Sequence, residues 1–384
     1  MQNNSLSLKV SVDSIMIILL SITYAGISSN VLFGFRVVDI LLLTFFIYKI
    51  GSKFKISFLI VLLFWLSTVL ISTYIGIKEE TKYLLSDIRF FSVLGIAAFL
   101  GYSLGNETKI DFEKVYYRLL IITAALYILI FLFPFLREYY VPASFLAEEH
   151  ANTIYGPSVV VINFLYVYLV LIKKNRTLLF YSTYLLFAVF IYSLRISRQD
   201  LVIMLLFFAW SLLYSIHTKI KLKHILGAGI LGATFLIFLY FNQNERIQGI
   251  FNPTQDTSFV YRILSNDAFL VKFNNAPLEN KLFGLGMGSS LPFFFNEWFG
   301  VRWFVLLDNT PLTLLMKVGI YGLITYLFLL FYPIRSLSFH KKIVLLFPVL
   351  FSMFLFSHAI YNLLYIFGLY LVSINLNRVK EEKG

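Results

Sequence analysis

Residues 242–308, NQNERIQGIFNPTQDTSFVYRILSNDAFLVKFNNAPLENKLFGLGMGSSLPFFFNEWFGVRWFVLLD, form the one long polar interruption in a chain that otherwise reads as one apolar run after another. The interruption ends at Asp308-Asn309, where the next apolar run begins, and that run carries Gly319-Ile320-Tyr321-Gly322. A charge at the lip of a membrane helix is costly unless it has a partner or a task. The same stretch supplies the cations Arg246, Arg262, Lys272, Lys281 and Arg302. Acid and base are therefore expected together on one face of a membrane, a setting suited to an anionic lipid-linked substrate.

Composition sets the solvent. The 384 residues are 59% hydrophobic and 14% charged, too few polar groups to cover a soluble protein of this size. Repeated apolar stretches of about 20 residues predict a polytopic α-helical membrane protein. The alternating segments of about 10 residues that mark a membrane barrel do not recur. We place about twelve spans, near 12–33, 35–50, 54–76, 84–104, 115–136, 152–172, 177–194, 199–217, 223–241, 310–332, 342–357 and 358–376. The first run lacks a small-residue cleavage site and is read as a retained helix. The absence of cysteine excludes disulfides, thiolate metal sites and Cys nucleophiles.

The fold expectation is thus all-α, in three parts: 1–241 with helices one to nine, 242–308 as an extracytoplasmic cap with short amphipathic helices, and 309–384 with helices ten to twelve and a tail. Loops assigned alternately to the two sides gather most Lys and Arg on one side and most Asp and Glu on the other. The positive-inside rule then makes both termini cytoplasmic and the cap external. The net charge of +12 is accounted for by topology rather than nucleic-acid binding. Cytoplasmic loops such as Lys173-Lys174-Asn175-Arg176 are too short to fold a nucleotide-binding domain. Matching Gly- or Pro-broken halves of the transporter type are not visible.

Within the cap, Val260, Ile263, Leu264 and Val271 follow helical spacing over 257–272, with Thr257 or Ser258 as N-cap and Arg262 off the apolar stripe. Gly284-Leu285-Gly286-Met287-Gly288 reads as a turn. Without a preceding βαβ unit it is not a dinucleotide fingerprint, so it either brings backbone close to a ligand or simply turns. Phe293 to Phe299 suit a cap lying at the membrane interface.

Arg195 and Arg198 crowd one outer turn with Asp200. Snorkelling to headgroups is the bland account; a guanidinium fork also matches phosphate oxygens bidentately. Asp308-Asn309-Thr310-Pro311 has the form of a helix start, with Asp or Asn capping and Pro just inside. His358 and Asn362, on the outer turn of the last helix, are candidates to line the cavity below the cap. Lys317 is expected to face protein or water rather than lipid. The five histidines lack metal-ligand spacing, so neither a metal nor another cofactor is expected.

These features together resemble the O-antigen polymerase (Wzy-type) and O-antigen ligase superfamily of bacterial inner-membrane glycosyltransferases. Ser197-Arg198 matches the family's Arg in an outer turn, Arg262 its loop Arg, and the turn around Leu285 its Gly-x-Gly. Asn309 with Gly319 and Gly322 matches the closing pair and Gly-x-x-Gly. Ligases carry His where this chain has Asp308, which favours the polymerase branch.

The resemblance implies a GT-C-like, ligase/polymerase-type scaffold in the bacterial inner membrane, with its active face periplasmic. It also implies a metal-independent transfer of a growing glycan from undecaprenyl pyrophosphate to an incoming lipid-linked repeat unit. Asp308, Arg198 and Arg262 are the expected catalytic residues; Arg195, Asn309, Arg302 and His358 are expected to bind substrate. The expected partners are undecaprenyl-pyrophosphate-linked oligosaccharide, the bilayer and a polysaccharide chain-length regulator, and no nucleic acid. The alternatives are a ligase acting on a second acceptor and a lipid-linked oligosaccharide flippase or transporter.

Overall fold

The computed structural model describes residues 11–26, 31–32, 35–107, 110–133, 157–172, 178–193, 198–217, 257–296, 300–304, 309–355 and 363–381. In chain order the helices are α1 (Val12–Gly26), α2 (Val37–Lys49), α3 (Ile56–Lys78), α4 (Leu84–Gly105), α5 (Phe112–Leu132), α6 (Pro157–Ile172), α7 (Leu178–Ser193), α8 (Arg198–His217), α9 (Thr257–Asn274), α10 (Leu278–Phe283), α11 (Thr310–Phe331), α12 (Phe339–Leu355) and α13 (Leu364–Glu381). Two short antiparallel hairpins accompany them: β1 (Val31–Leu32) with β2 (Phe35–Arg36), and β3 (Leu291–Asn296) with β4 (Gly300–Phe304). Among the described residues the protein is therefore helical with two small hairpins, the larger one in the cap, where the sequence predicts only short helices. Aromatic and β-branched residues over 291–304 favour strand pairing over a helical turn.

Among the described residues, α3, α4, α5 and α11 are long and apolar enough to cross a membrane. At about 1.5 Å rise per residue, 21 to 23 residues reach the ~30 Å of a hydrocarbon core. Shorter apolar helices pack with them, and two of these, α6 and α13, are buried along most of their length. The expected first span reaches 33, whereas α1 ends at Gly26. The expected span at 223–241 lies outside the described residues.

Interhelical contacts fix the helix directions. Ser57 meets Tyr332 at 2.9 Å and Thr68 meets Thr325 at 2.7 Å, so α3 and α11 run antiparallel. Gly101 packs on Phe367 and Gly105 on Leu371, so α4 and α13 run parallel. Tyr168 donates to Asn375 at 2.6 Å while Phe164 abuts Gly368, making α6 parallel to α13 as well. Tyr184 of α7 donates to Asn163 of α6 at 2.6 Å and approaches the Met204 carbonyl of α8 at 3.3 Å. Further ring contacts of Phe180 with Tyr166 and of Tyr181 with Phe208 make α7 antiparallel to both neighbours. α8 thus runs as α4, α6 and α13 do. Because α11 starts where α3 ends, the starts of α8 and α11 lie at the same end of the bundle.

One end of this bundle is closed by charge. Lys49, 6% exposed, lies 2.7 Å from both Asp13 and Glu107, joining the start of α1 to the ends of α2 and α4. Arg378 donates to the Asn106 carbonyl at 3.0 Å, and Arg335 donates to Ser57 at 3.1 Å while lying over the Tyr332 ring. Close to this end, small residues admit close backbone approach, which drives helix association where apolar burial alone does not. A Cβ at Gly101 would stand 2.5 Å from the Phe367 carbonyl oxygen and 2.8 Å from the Tyr370 Cβ. Gly101→Leu is therefore expected to cost about 1–3 kcal/mol through overpacking, read as a lowered thermal midpoint of the detergent-solubilised protein; an unchanged midpoint would remove this contact from the account.

Candidate functional site

At the opposite end, α9, α10 and a glycine-rich turn fold down onto the bundle. Pro277 stands before α10, and Gly284 ends it with φ +83°. Gly286 and Gly288 also have positive φ, +89° and +80°. Here only glycine serves, for two reasons: conformation and space. A Cβ at Gly284 would stand 2.6 Å from the Lys317 carbonyl carbon, and one at Gly286 2.6 Å from the Gly76 nitrogen. The turn is thus laid backbone-to-backbone against the end of α3, the start of α4 and the middle of α11.

Hydrogen bonds complete that seat. Met287 N–H donates to the Ser72 carbonyl at 2.9 Å, and Tyr83 N–H to the Gly288 carbonyl at 3.4 Å. The Thr81 hydroxyl donates to the Met287 carbonyl at 2.5 Å. α11 breaks its helical course at Gly319, with φ +66° and ψ −167°. A regular helix would offer the Met316 carbonyl to the N–H of Ile320; here it accepts from Leu285 N–H at 2.8 Å. Beside it, Phe269 of α9 and Leu291 of β3 pack on Met316, seating the helix and the hairpin of the cap on α11.

Beneath the turn lies a buried ion pair. Lys317 Nζ stands 2.7 Å from Asp87 Oδ2, the lysine 0% and the aspartate 2% exposed. The same Oδ2 accepts the Gly288 N–H at 2.6 Å, and Lys317 also donates to the Ser289 carbonyl. Desolvating two charges is expensive, and their mutual attraction offsets that cost only when remaining donors and acceptors are matched. Here the cap backbone supplies the match. The pair therefore fastens three elements: α4 through Asp87, α11 through Lys317, and the cap through Gly288 and Ser289. Lys317 faces protein, as expected. Asp87 was not singled out from sequence, although one acid in the apolar run Leu84-Leu85-Ser86-Asp87 calls for a partner by the same logic.

Above the turn an open cleft of roughly 380 Å³ faces outward, bordered by Glu79, Lys82, Lys272, Asn280, Leu285 and Ser289 among others. The structure places the expected site residues as follows. Asn309 caps α11: its Oδ1 accepts from Leu312 N–H at 3.1 Å, and its Nδ2 donates to the Phe354 carbonyl of α12 at 3.1 Å. The expected helix start is thus present, and the amide also ties α11 to α12. Arg198 is the first residue of α8, at the cap end of the bundle given the helix directions. Arg262 lies in α9, and Arg302 lies in β4 opposite Phe293. The side chains of these three arginines, and all of Arg195, Asp308 and His358, lie outside the described residues.

No protein-family model matches the chain, and no curated protein matches it.

Breaking the buried pair from one side leaves an unmatched charge. Asp87→Asn or Lys317→Met alone is expected to cost about 3–5 kcal/mol. The double variant Asp87→Leu/Lys317→Met should recover most of that loss. Thermal unfolding in detergent reports both, and single variants as stable as the parent protein would refute the fastening role.

Proposed function

We propose that the protein is a surface-polysaccharide polymerase, transferring a growing glycan from undecaprenyl pyrophosphate to an incoming lipid-linked repeat unit at the external face of the bacterial inner membrane. One observation carries the reading. The Gly-x-Gly turn of the cap and the helix bearing Asn309, Gly319 and Gly322 are separate pieces of the resemblance, about thirty residues apart in sequence. In the structure they are in direct backbone contact, through Leu285 with Met316 and through Gly284 with Lys317 to Gly319. Pieces that a family motif joins only by order are here joined in space.

Depth along the bundle supports the same reading. Trp210 of α8 meets Phe347 of α12 with ring centroids 4.5 Å apart. Arg198 begins α8 twelve residues from that contact, about 18 Å at helical rise, and Phe354, the partner of Asn309, lies seven residues from it, about 10 Å. The two helices run in opposite directions, so Arg198 and the capped start of α11 belong to the same end. Arg262 precedes Phe269, the cap's apolar anchor on Met316, by two helical turns.

The chemistry asks little beyond positioned charge. The acceptor hydroxyl attacks the anomeric carbon of the donor glycan; a new C–O bond forms as the bond to pyrophosphate breaks. The hydroxyl proton passes to Asp308, and the electron pair leaves on the pyrophosphate. Arg198 and Arg262, with Arg195 nearby in sequence, stabilise the departing anion through guanidinium forks. Asn309, Arg302 and His358 complete the binding surface, and a chain-length regulator would dock from the same external side.

Reconstituted with lipid-linked repeat units, Arg198→Ala and Arg262→Ala should lower elongation by about 10²-fold or more, with single repeat units left on lipid. Asp308→Asn should fall within about the 10²–10⁴-fold range of a lost general base. Long chains made at parental rate by any of these variants would refute its assignment. Sidedness has its own check, made simple by the absence of cysteine. In intact cells a membrane-impermeant maleimide should label Glu79→Cys but label Lys53→Cys only after permeabilisation; the reverse pattern would invert the topology.

A further inference from the structure

The cleft above the glycine-rich turn has a lining that the glycosyl-transfer step does not use. Lys82, in the turn between α3 and α4, and Lys272, in the last turn of α9, come from segments 190 residues apart in sequence, yet both border it. Glu79 and Asn280 stand at the same rim. Glu79, Lys82 and Lys272 are exposed, and none forms an ion pair with another described residue. Lys82 leans over the Tyr83 ring, its Nζ 5.5 Å from the centroid.

The lining also contains a hydroxyl without a partner. Ser289 is 7% exposed, and its carbonyl is used by Lys317, but its side-chain oxygen makes no hydrogen bond. Ile75 and Leu285 add an apolar floor beside these polar groups. The volume, roughly 380 Å³, lies within the range of small-ligand sites.

We infer that this cleft binds an anionic sugar residue, a uronate or a similar carboxylated saccharide. Two lysines against one glutamate leave one positive charge to be matched. A bare phosphate would satisfy the lysines but face Glu79 at the same rim. A neutral sugar would satisfy Glu79 and Asn280, which accept and donate to ring hydroxyls, but would leave the lysines unmatched. A sugar with one carboxylate meets both demands, and its C–H face covers Ile75 and Leu285. That this sugar belongs to the glycan under construction rests on the polymerase reading; that the cleft binds it does not.

The test measures binding to the full-length protein in nanodiscs, without turnover. A glucuronate-containing disaccharide and its neutral glucose counterpart are titrated by saturation-transfer NMR, and inorganic phosphate is added as a competitor against the acidic disaccharide. The acidic disaccharide should bind about tenfold more tightly than the neutral one, the worth of one charge-assisted hydrogen bond. Lys82→Gln/Lys272→Gln should erase that preference. Lys82→Arg/Lys272→Arg, which keeps the charge, should retain the preference and so separates lost charge from lost folding. Equal binding of the two disaccharides, phosphate binding as tightly as the acidic sugar, or indifference to the lysine variants would overturn the site. Binding without elongation would keep the site and sink the polymerase reading; elongation without binding would do the opposite.

Discussion

Two opposite charges inside apolar helices, Asp87 and Lys317, constrain the rest of the cap. A buried charge tolerates few arrangements, because each unmatched donor or acceptor carries a desolvation penalty of several kcal/mol in order of magnitude. Asp87 Oδ2 accepts from both Lys317 and Gly288 N–H, and Lys317 also donates to Ser289. Those demands fix where the cap backbone runs. They also explain the glycines: a backbone held this close to Gly76, Thr81 and Lys317 leaves no room for a Cβ. Electrostatics chooses the seat, and glycine makes the seat reachable.

The bundle below is assembled by a different balance. Where the surroundings are hydrocarbon, apolar burial does not by itself select helix partners, and small residues with matched polar groups do. Gly101 and Gly105 let α4 approach α13, and Asn375 bonds both Tyr168 of α6 and the Gly105 carbonyl of α4. Thr68 with Thr325 serves α3 and α11 in the same way. These contacts are local, but together they set the direction of every helix they join. Directions in turn decide which termini meet: Asp13, Lys49 and Glu107 at one end, the glycine-rich turn and the Asn309 cap at the other.

Much of this was legible in the residues. The long apolar runs at 54–76, 84–104 and 310–332 became α3, α4 and α11 within a few residues at each end. The amphipathic spacing over 257–272 became α9, and Asn309 with Pro311 opened α11 as the N-cap pattern predicts. Lys317 was readable as inward-facing because its charge excludes lipid. Its partner was not, since 230 residues separate Asp87 from it and period alone does not pair helices. The glycine triplet was ambiguous for a related reason: φ can be inferred from glycine, but what the backbone approaches depends on tertiary contacts. It approaches this protein's own helices. The hairpin of β3 and β4 was missed because its aromatics suit an interfacial surface and a strand equally well.

On the polymerase reading, the sealing of Asp87 and Lys317 bears on where the transfer would occur. Both are shut away from the cleft, 2% and 0% exposed, and their known bonds hold the cap backbone. A side chain in that state does not reach a ligand in the cleft. The proposed transfer would therefore draw its reacting charges from other residues, and the sequence offers Arg198, Arg262 and Asp308 for that role. For the proposed reaction, whose leaving group is already a stable anion, that division would suit the chemistry: one buried pair holds the cap in place, while other cations would meet the diphosphate.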